Sequence, residues 1–365
     1  MEQRHSALED IQLCDIEAEL NKLWEELKTK DRIRASLFNL VIYGHHQTHI
    51  EQLQLIVNET VARFPCRIIF IKGNLDPDEN YIKVNVSIEI PNKSTDNIAC
   101  DKIELEVSAN HLNRVPYIVL PHLLPDLPIY LLWGEDPTEE KIVLPSLRRY
   151  ASRLLYNASC TDNLQLFAQR MLAMIKSENP LELMDISWLM LRGWRQVIAQ
   201  IFDSDDKREN LRLCTQVTLL YSSSQANCSD TEKIQATYLA AWLADRMSWQ
   251  FLRHVATPYE TVFVFFNGKN ECQVIVKGIT NTEYDSGRVY QVDIQRENLF
   301  AVSISPCETL LKVCVHLTLQ DTCELPYTLP LTSLKVGPVY IREMFYSAIS
   351  KHYPSMLEQL TKLSV

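Results

Sequence analysis

Five apolar residues in a row, Ile129 to Trp133, lie between two prolines and an acidic exit. Pro125 and Pro128 precede the run, and Glu135, Asp136 and Pro137 follow it. A strand with one wet face alternates in polarity. An unbroken apolar run this short instead predicts a strand covered on both faces, as in the middle of a layered α/β sheet. The prolines predict that a helix entering from Asn110 stops near Leu124. Lys141 to Tyr150 then reads as a crossover and Arg153 to Tyr156 as a second buried strand. Asn157, Ala158 and Ser159 would stand at that strand's end, where α/β sheets present ligand contacts.

The same order appears earlier in the chain. Ser36 to Tyr43 is an apolar strand ended by Gly44, Leu53 to Phe64 reads as a helix, and Arg67 to Ile71 as the next strand. Strand, helix, strand predicts a parallel pair joined by a crossover. Tyr81 to Ile90 and Ile98 to Val107 add two strands with alternating residues. Ahead of them, Leu8 to Lys28 repeats apolar residues at helical spacing (Ile16, Leu20, Leu23, Leu27). It is expected to pack on the first domain, with a partner-binding arm as the alternative.

After Ser159 the pattern turns helical. Helices are expected over 162–176, over 185–202 with Asp185 as N-cap, and from the capping-box sequence Ser229-Asp-Thr-Glu232 to Trp249. Asp203 to Asn210 reads as a charged loop and Leu211 to Tyr221 as a strand. Thr261–Phe266, Cys272–Lys277, Val289–Ile294, Leu299–Ile304 and Leu311–Leu317 read as an antiparallel meander. Val339 to Ile349 reads as a closing helix. The expected class is α/β (α+β overall) in two layered domains, with the boundary near Ser159 to Asp162. Residues 1–159 form a mixed α/β sheet domain, and residues 160–365 carry helices packed on a mostly antiparallel sheet.

Composition narrows the function classes. A net charge of −10 argues against an electrostatic grip on nucleic acid or on an anionic membrane. No apolar run reaches transmembrane length and no secretory signal opens the chain, so a cytoplasmic location is expected. There the 10 cysteines would be reduced thiols, and none forms a Cys-x-x-Cys pair. Glycine is scarce: only 8 occur, no two closer than Gly278 and Gly287. Phosphate-cradling loops need clustered glycines, so neither the dinucleotide fingerprint nor the P-loop is written here. No cofactor is expected.

Individual residues suggest chemistry more weakly. His45, His46 and His49 make the one metal-like cluster in the sequence, but the intervening position, where zinc proteases carry Glu, is Gln47. A polar first helical turn is the expected role, not a metal site. Asp126, between two prolines, suits a turn. Trp188 and Trp194 on the second-domain helix, with Arg195 beside them, are candidate anchors for a partner, since Trp and Arg are enriched in binding hot spots. Trp133 at a strand end and Asp126 before that strand complete the candidate partner-binding set. Helical spacing of the tryptophans fits core packing equally well. No catalytic residues are singled out.

Several segments resemble one family. Leu124-Pro-Asp-Leu-Pro128 followed by an apolar strand ending in Trp133, and Arg153-Leu-Leu-Tyr-Asn-Ala-Ser159, are similar to the OpcA family, described as glucose-6-phosphate dehydrogenase assembly proteins. So are Ser36 to Tyr43, Asp185-Ile-Ser-Trp188 with Trp194-Arg195, and Tyr238 to Trp249. Arg63-Phe-Pro-Cys-Arg67 resembles a His-Pro-Ser-Arg segment of that family, with Phe64 in place of His and Cys66 in place of Ser. The resemblance implies a non-catalytic partner that binds glucose-6-phosphate dehydrogenase and promotes its assembly or activation, supporting NADPH production. The alternative from a different class is an enzyme or sensor for a sugar phosphate or nucleotide, held in a cleft between the two domains.

Overall fold

The computed structural model of the protein describes residues 4–5, 15–27, 32–90, 98–177, 181–224, 230–331 and 350–363, apart from 258, 282, 298, 308–310 and 321. Two compact units divide the chain. The first comprises residues 1–157, 177–186 and 335–349, and the second 158–176, 187–334 and 350–365. The chain therefore passes between units more than once, where a single boundary near Ser159 was expected.

In the first unit the strands are β1 (Arg4–His5), β2 (Ile33–Arg34), β3 (Asn39–Gly44), β4 (Arg67–Asn74), β5 (Ile82–Glu89), β6 (Ile98–Ser108), β7 (Ile129–Trp133), β8 (Arg153–Tyr156) and β9 (Glu182–Asp185). They pair in the order β1-β5-β6-β4-β3-β7-β8-β9, with β2 beside β6. From β6 to β9 every neighbour is parallel. The two predicted strand-helix-strand units are present: α2 (Gln47–Val61) joins β3 to β4, and α4 (Val143–Leu147) joins β7 to β8. β3 lies at the centre and all six of its residues are buried, as continuous apolar runs demand in a doubly covered sheet.

Three sequence expectations change here. The segment from Asn110 is not one helix. It is a 3₁₀ turn, a short α3 (Val115–Val119) and a second 3₁₀ turn, stopping at Leu123 as the prolines require. Asp185 is not a helix N-cap but the last residue of β9, paired with Tyr156, and Arg153 forms an ion pair with Glu182 at the other end of that strand. The leading helix is described only as α1 (Ile16–Leu27); the start of the predicted helix and Lys28 lie outside the described residues. α1 buries Trp24 and Leu27 against Ile88 and Ala99, so it is packed on its sheet.

A buried ionic network fixes that helix. Asp101 on β6, only 1% exposed, accepts from Trp24 Nε1 (2.7 Å), Arg34 Nη2 (2.7 Å) and Arg67 Nη2 (2.7 Å). Arg67, 3% exposed, also donates to Glu17 (2.7 Å) and to the His122 carbonyl (2.8 Å). Burial alone pushes the Asp101 carboxyl up, but the hydrogen bonds from Arg34 and Trp24 and the Arg67 charge outweigh it, so it titrates below its ordinary 3.8. Glu104 behaves alike: burial raises it, while Lys72 and Lys102 hold it below 4.5. Depressed carboxyls bind protons more readily when unfolded, so their contribution is complete above the unfolded pKa and is lost as pH falls through the folded one. Thermal denaturation should therefore change little between about pH 7 and pH 5 and fall steeply below about pH 4. A midpoint that stays level down to about pH 3 would contradict this.

The second unit has strands β10 (Gln216–Ser223), β11 (Gln250–Ala256), β12 (Glu260–Phe266), β13 (Glu271–Thr280), β14 (Val289–Arg296), β15 (Phe300–Pro306), β16 (Lys312–Leu319), β17 (Thr322–Cys323) and β18 (Tyr327–Pro330). The expected meander is interrupted. β13 and β14 do not pair, because β10 lies between them, parallel to β13 and antiparallel to β14. The helices are α5 (Leu164–Ile175), α6 (Ile186–Met190, beginning one residue before the unit), α7 (Arg192–Ile201), α8 (Asp205–Arg212), α9 (Ile234–Met247) and α10 (Tyr353–Leu360). The charged stretch after Asp203 is the helix α8, not a loop. Ser204 caps it by accepting from Lys207 N, Asp205 and Asp206 fill its first turn, and Arg212 its last. α9 is buried nearly all round, as its sequence predicts, and α10 packs on it and on α5. The predicted helix 339–349 lies outside the described residues. Among the described residues no helix is long and apolar enough to cross a membrane.

Candidate functional site

The strand order of the first sheet reverses at β3. From β3 the chain runs through α2 to β4 on one side, and returns later through β7 on the other. The carboxyl ends of β3 and β7 thus flank a topological switch point, the place where open α/β sheets bind ligands. The parallel register pairs Tyr43 with Trp133, so the residues that follow this pair, Gly44-His45-His46 and Gly134-Glu135, emerge side by side. Space at Gly134 is tight: a methyl group there would stand 2.6 Å from Leu53 Cδ1, which would have to shift, and 3.2 Å from the Tyr43 carbonyl. Tyr43 and Trp133 stack at 4.4 Å beneath this edge.

Glu135 organises the site. Its Oε1 accepts from the backbone amides of His45 (2.7 Å) and His46 (3.0 Å), and its Oε2 lies 2.9 Å from His49 Nδ1. These amides sit at the start of α2, where the helix dipole and unpaired N–H groups favour a negative charge. In a dinucleotide-binding sheet the pyrophosphate takes this position. Here the chain supplies its own carboxylate. Burial raises the Glu135 carboxyl, but the His49 hydrogen bond and the two amides hold it below 4.5. The hydrogen bond to Glu135 raises His49 above 6.5 against the effect of burial. Burial lowers His45, and its Nδ1 is a buried nitrogen without a hydrogen-bond partner. His45, His46 and Glu135 offer ligand atoms all within 4.8 Å of one another.

Sequence reading found the histidines but not Glu135, which follows His49 by 86 residues. The signal was present in the register: two parallel strands that pair Tyr43 with Trp133 bring the positions two residues beyond that pair together.

The partner-binding candidates are dispersed. Asp126 is exposed, with a positive φ of 63°, in the turn that Asn39 clamps through Leu124 N (2.7 Å) and the Leu124 carbonyl (3.0 Å). Asp tolerates that left-handed conformation better than most residues. Trp133 is fully buried in the first unit. In the second unit Trp188 and Trp194 are 2% and 3% exposed, so their side chains serve the core. Trp194 Nε1 donates to the Val289 carbonyl at 3.0 Å. Arg195, half-buried, lies 3.5 Å from the centre of the Trp188 ring and donates to the Trp188 carbonyl at 2.6 Å. Of the five, Asp126 is exposed, Arg195 is half-buried and the three tryptophans are buried.

Comparison with known proteins matches two successive stretches of the chain to one family. Residues 57–172 match the family described as glucose-6-phosphate dehydrogenase subunit N-terminal domain, and residues 181–323 its C-terminal domain. A protein of Synechocystis sp. named for the OxPP cycle and OpcA is 24% identical over 222 residues, 59% of this chain and 44% of that protein. One of the same name from Nostoc punctiforme is 25% identical over 224 residues, 60% of this chain and 46% of that one. The matched stretch thus spans about half the length of these curated relatives. Among solved structures, a 3-ketoreductase from Actinomadura kijaniata with NADP and TDP-benzene superposes with a TM-score of 0.51 at 10% identity, covering 91% of this chain and 96% of that one. A K102A mutant of that enzyme gives 0.50 at 11% identity, with the same coverage of both chains. At these identities the likeness concerns the fold alone.

Proposed function

The chain belongs to the OpcA family of glucose-6-phosphate dehydrogenase subunits, and from that premise we propose that it is a non-catalytic partner of that enzyme. In this reading it binds one oligomeric or active state of the dehydrogenase more tightly than another and shifts the population toward it. The result is assembly or activation, and support for NADPH supply through the oxidative pentose phosphate pathway in the cytoplasm. The observation that carries the proposal is the match to both halves of the family. The internal carboxylate at the switch point supports it. With Glu135 on the amides that begin α2, a dinucleotide phosphate would have to displace a bonded anion.

The contact residues we assign are Asp126, on its exposed turn in the first unit, and Arg195 in the second, each taken separately, with Trp133, Trp188 and Trp194 acting from the core of their own units to hold the surrounding backbone. Size-exclusion chromatography of this chain with purified glucose-6-phosphate dehydrogenase at micromolar concentration should give one co-eluting complex with altered dehydrogenase kinetics. Asp126→Asn, which keeps the left-handed turn and removes the charge, should weaken it. Independent elution with unchanged kinetics would remove the proposal. A thermal shift with NADP or a phosphosugar on this chain alone would favour the ligand-sensor alternative.

A further inference from the structure

We propose that His45, His46 and Glu135 bind a divalent first-row transition cation, with zinc as the expected ion. The inference is independent of the partner reading, and neither falls with the other. Two imidazoles and one carboxylate are a donor set suited to zinc and its neighbours rather than to magnesium or calcium, which require oxygen. The three donor atoms already lie within 4.8 Å of one another. The paired distances are 3.7 Å from His45 Nδ1 to Glu135 Oε1 and 3.9 Å from His46 Nε2 to Glu135 Oε2. Tetrahedral zinc, with bonds of about 2.0–2.1 Å, needs donors roughly 3.3 Å apart. Those two distances run to different carboxylate oxygens, and the three donors as a set lie within 4.8 Å, so they must close in on the ion; the His46 side chain, 63% exposed, has the room to do so.

Two further observations point to a ligand. His45 Nδ1 is buried without a partner, and a buried polar atom left unsatisfied is costly; a bound cation would satisfy it. Glu135 is held in place by bonds to two amides and to His49 Nδ1, the kind of outer support that orients metal-ligating carboxylates. The ion would tie the end of β3 to the end of β7 across the switch point.

The test uses the full chain, stripped with chelator and kept reduced, in equilibrium dialysis against micromolar zinc followed by elemental analysis. One retained zinc per chain is expected. His46→Ala, which removes an exposed side chain that forms no hydrogen bond among the described residues, should weaken retention by roughly 100-fold or more, since even outer-shell losses cost 10–100-fold. Glu135→Gln, which can still accept from the two amides, should do the same while keeping the fold, as circular dichroism would report. Because cysteines such as the buried pair Cys214 and Cys272, whose sulfurs are 3.5 Å apart, could compete, cobalt is the second probe. Its visible spectrum should show a low-coordinate site without the near-ultraviolet thiolate band. No retained zinc, retention unchanged in His46→Ala, or a thiolate band for the bound cobalt would each overturn the assignment.

Discussion

Replacing Arg67 with Met should lower stability by about 3–5 kcal/mol, the cost of leaving a buried charge without its partner. The reason lies in what remains. Asp101 would stay at 1% exposure with Arg34 and Trp24 but without the two contacts from Arg67, at 2.7 and 3.1 Å. Glu17 and the His122 carbonyl would lose a donor as well. For a unit of this size the melting midpoint should fall by roughly 6–20 °C. The pH dependence gives a second readout. Without Arg67 the folded pKa of Asp101 rises from its depressed value, so the carboxyl protonates more easily in the folded variant. Protonation removes the uncompensated buried charge, and the penalty measured near pH 7 should shrink as pH falls toward about 4. A loss under about 1 kcal/mol, or one that is the same at both pH values, would show that the network does not hold α1 to its sheet.

Trp133→Ala should cost a similar amount, about 3–5 kcal/mol, by a different route. Trp133 is fully buried, stacked on Tyr43 at 4.4 Å, and its removal leaves a cavity at the end of β7 that the paired strands β3 and β8 are poorly placed to fill. The effect on partner binding separates two roles. If Trp133 acts from the core, association should fall only in proportion to the folded fraction, and well below the midpoint the variant should bind with unchanged affinity. Asp126→Asn should show the opposite pattern, with stability altered by no more than about 0.5 kcal/mol and weaker association. A Trp133→Ala chain that melts normally but fails to bind would place the indole at the contact surface.

Much of the architecture could be read along the chain because burial leaves a local trace. Ile129 to Trp133 and Leu40 to Ile42 lack alternation, and each is a doubly covered parallel strand. The order strand, helix, strand sufficed for parallel pairing, since a crossover can return in no other common way. The near-continuous apolar surface of Tyr238 to Ala244 marked a central helix. Where local cues competed, reading failed. Asp203 to Asn210 is polar enough for a loop, yet Ser204 and the acidic first turn cap a helix there. Glu182 to Asp185 is too short to announce a strand before it finds β8. The meander reading failed because strand order is not a local property: β10 enters between β13 and β14 from some fifty residues earlier in the chain.

The sequence alone determined the fold class, the parallel units and the family resemblance, all of which rest on short-range periodicity or contiguous motifs. Only the tertiary structure decided that Glu135 meets the three histidines, that Asp101 gathers Trp24, Arg34 and Arg67, and that three candidate tryptophans face inward. The physical reason is that periodicity fixes which face of a segment leaves water, whereas ionic and metal-ligand partnerships form between segments many residues apart. Those are brought together by the sheet register, which no single stretch of the chain encodes.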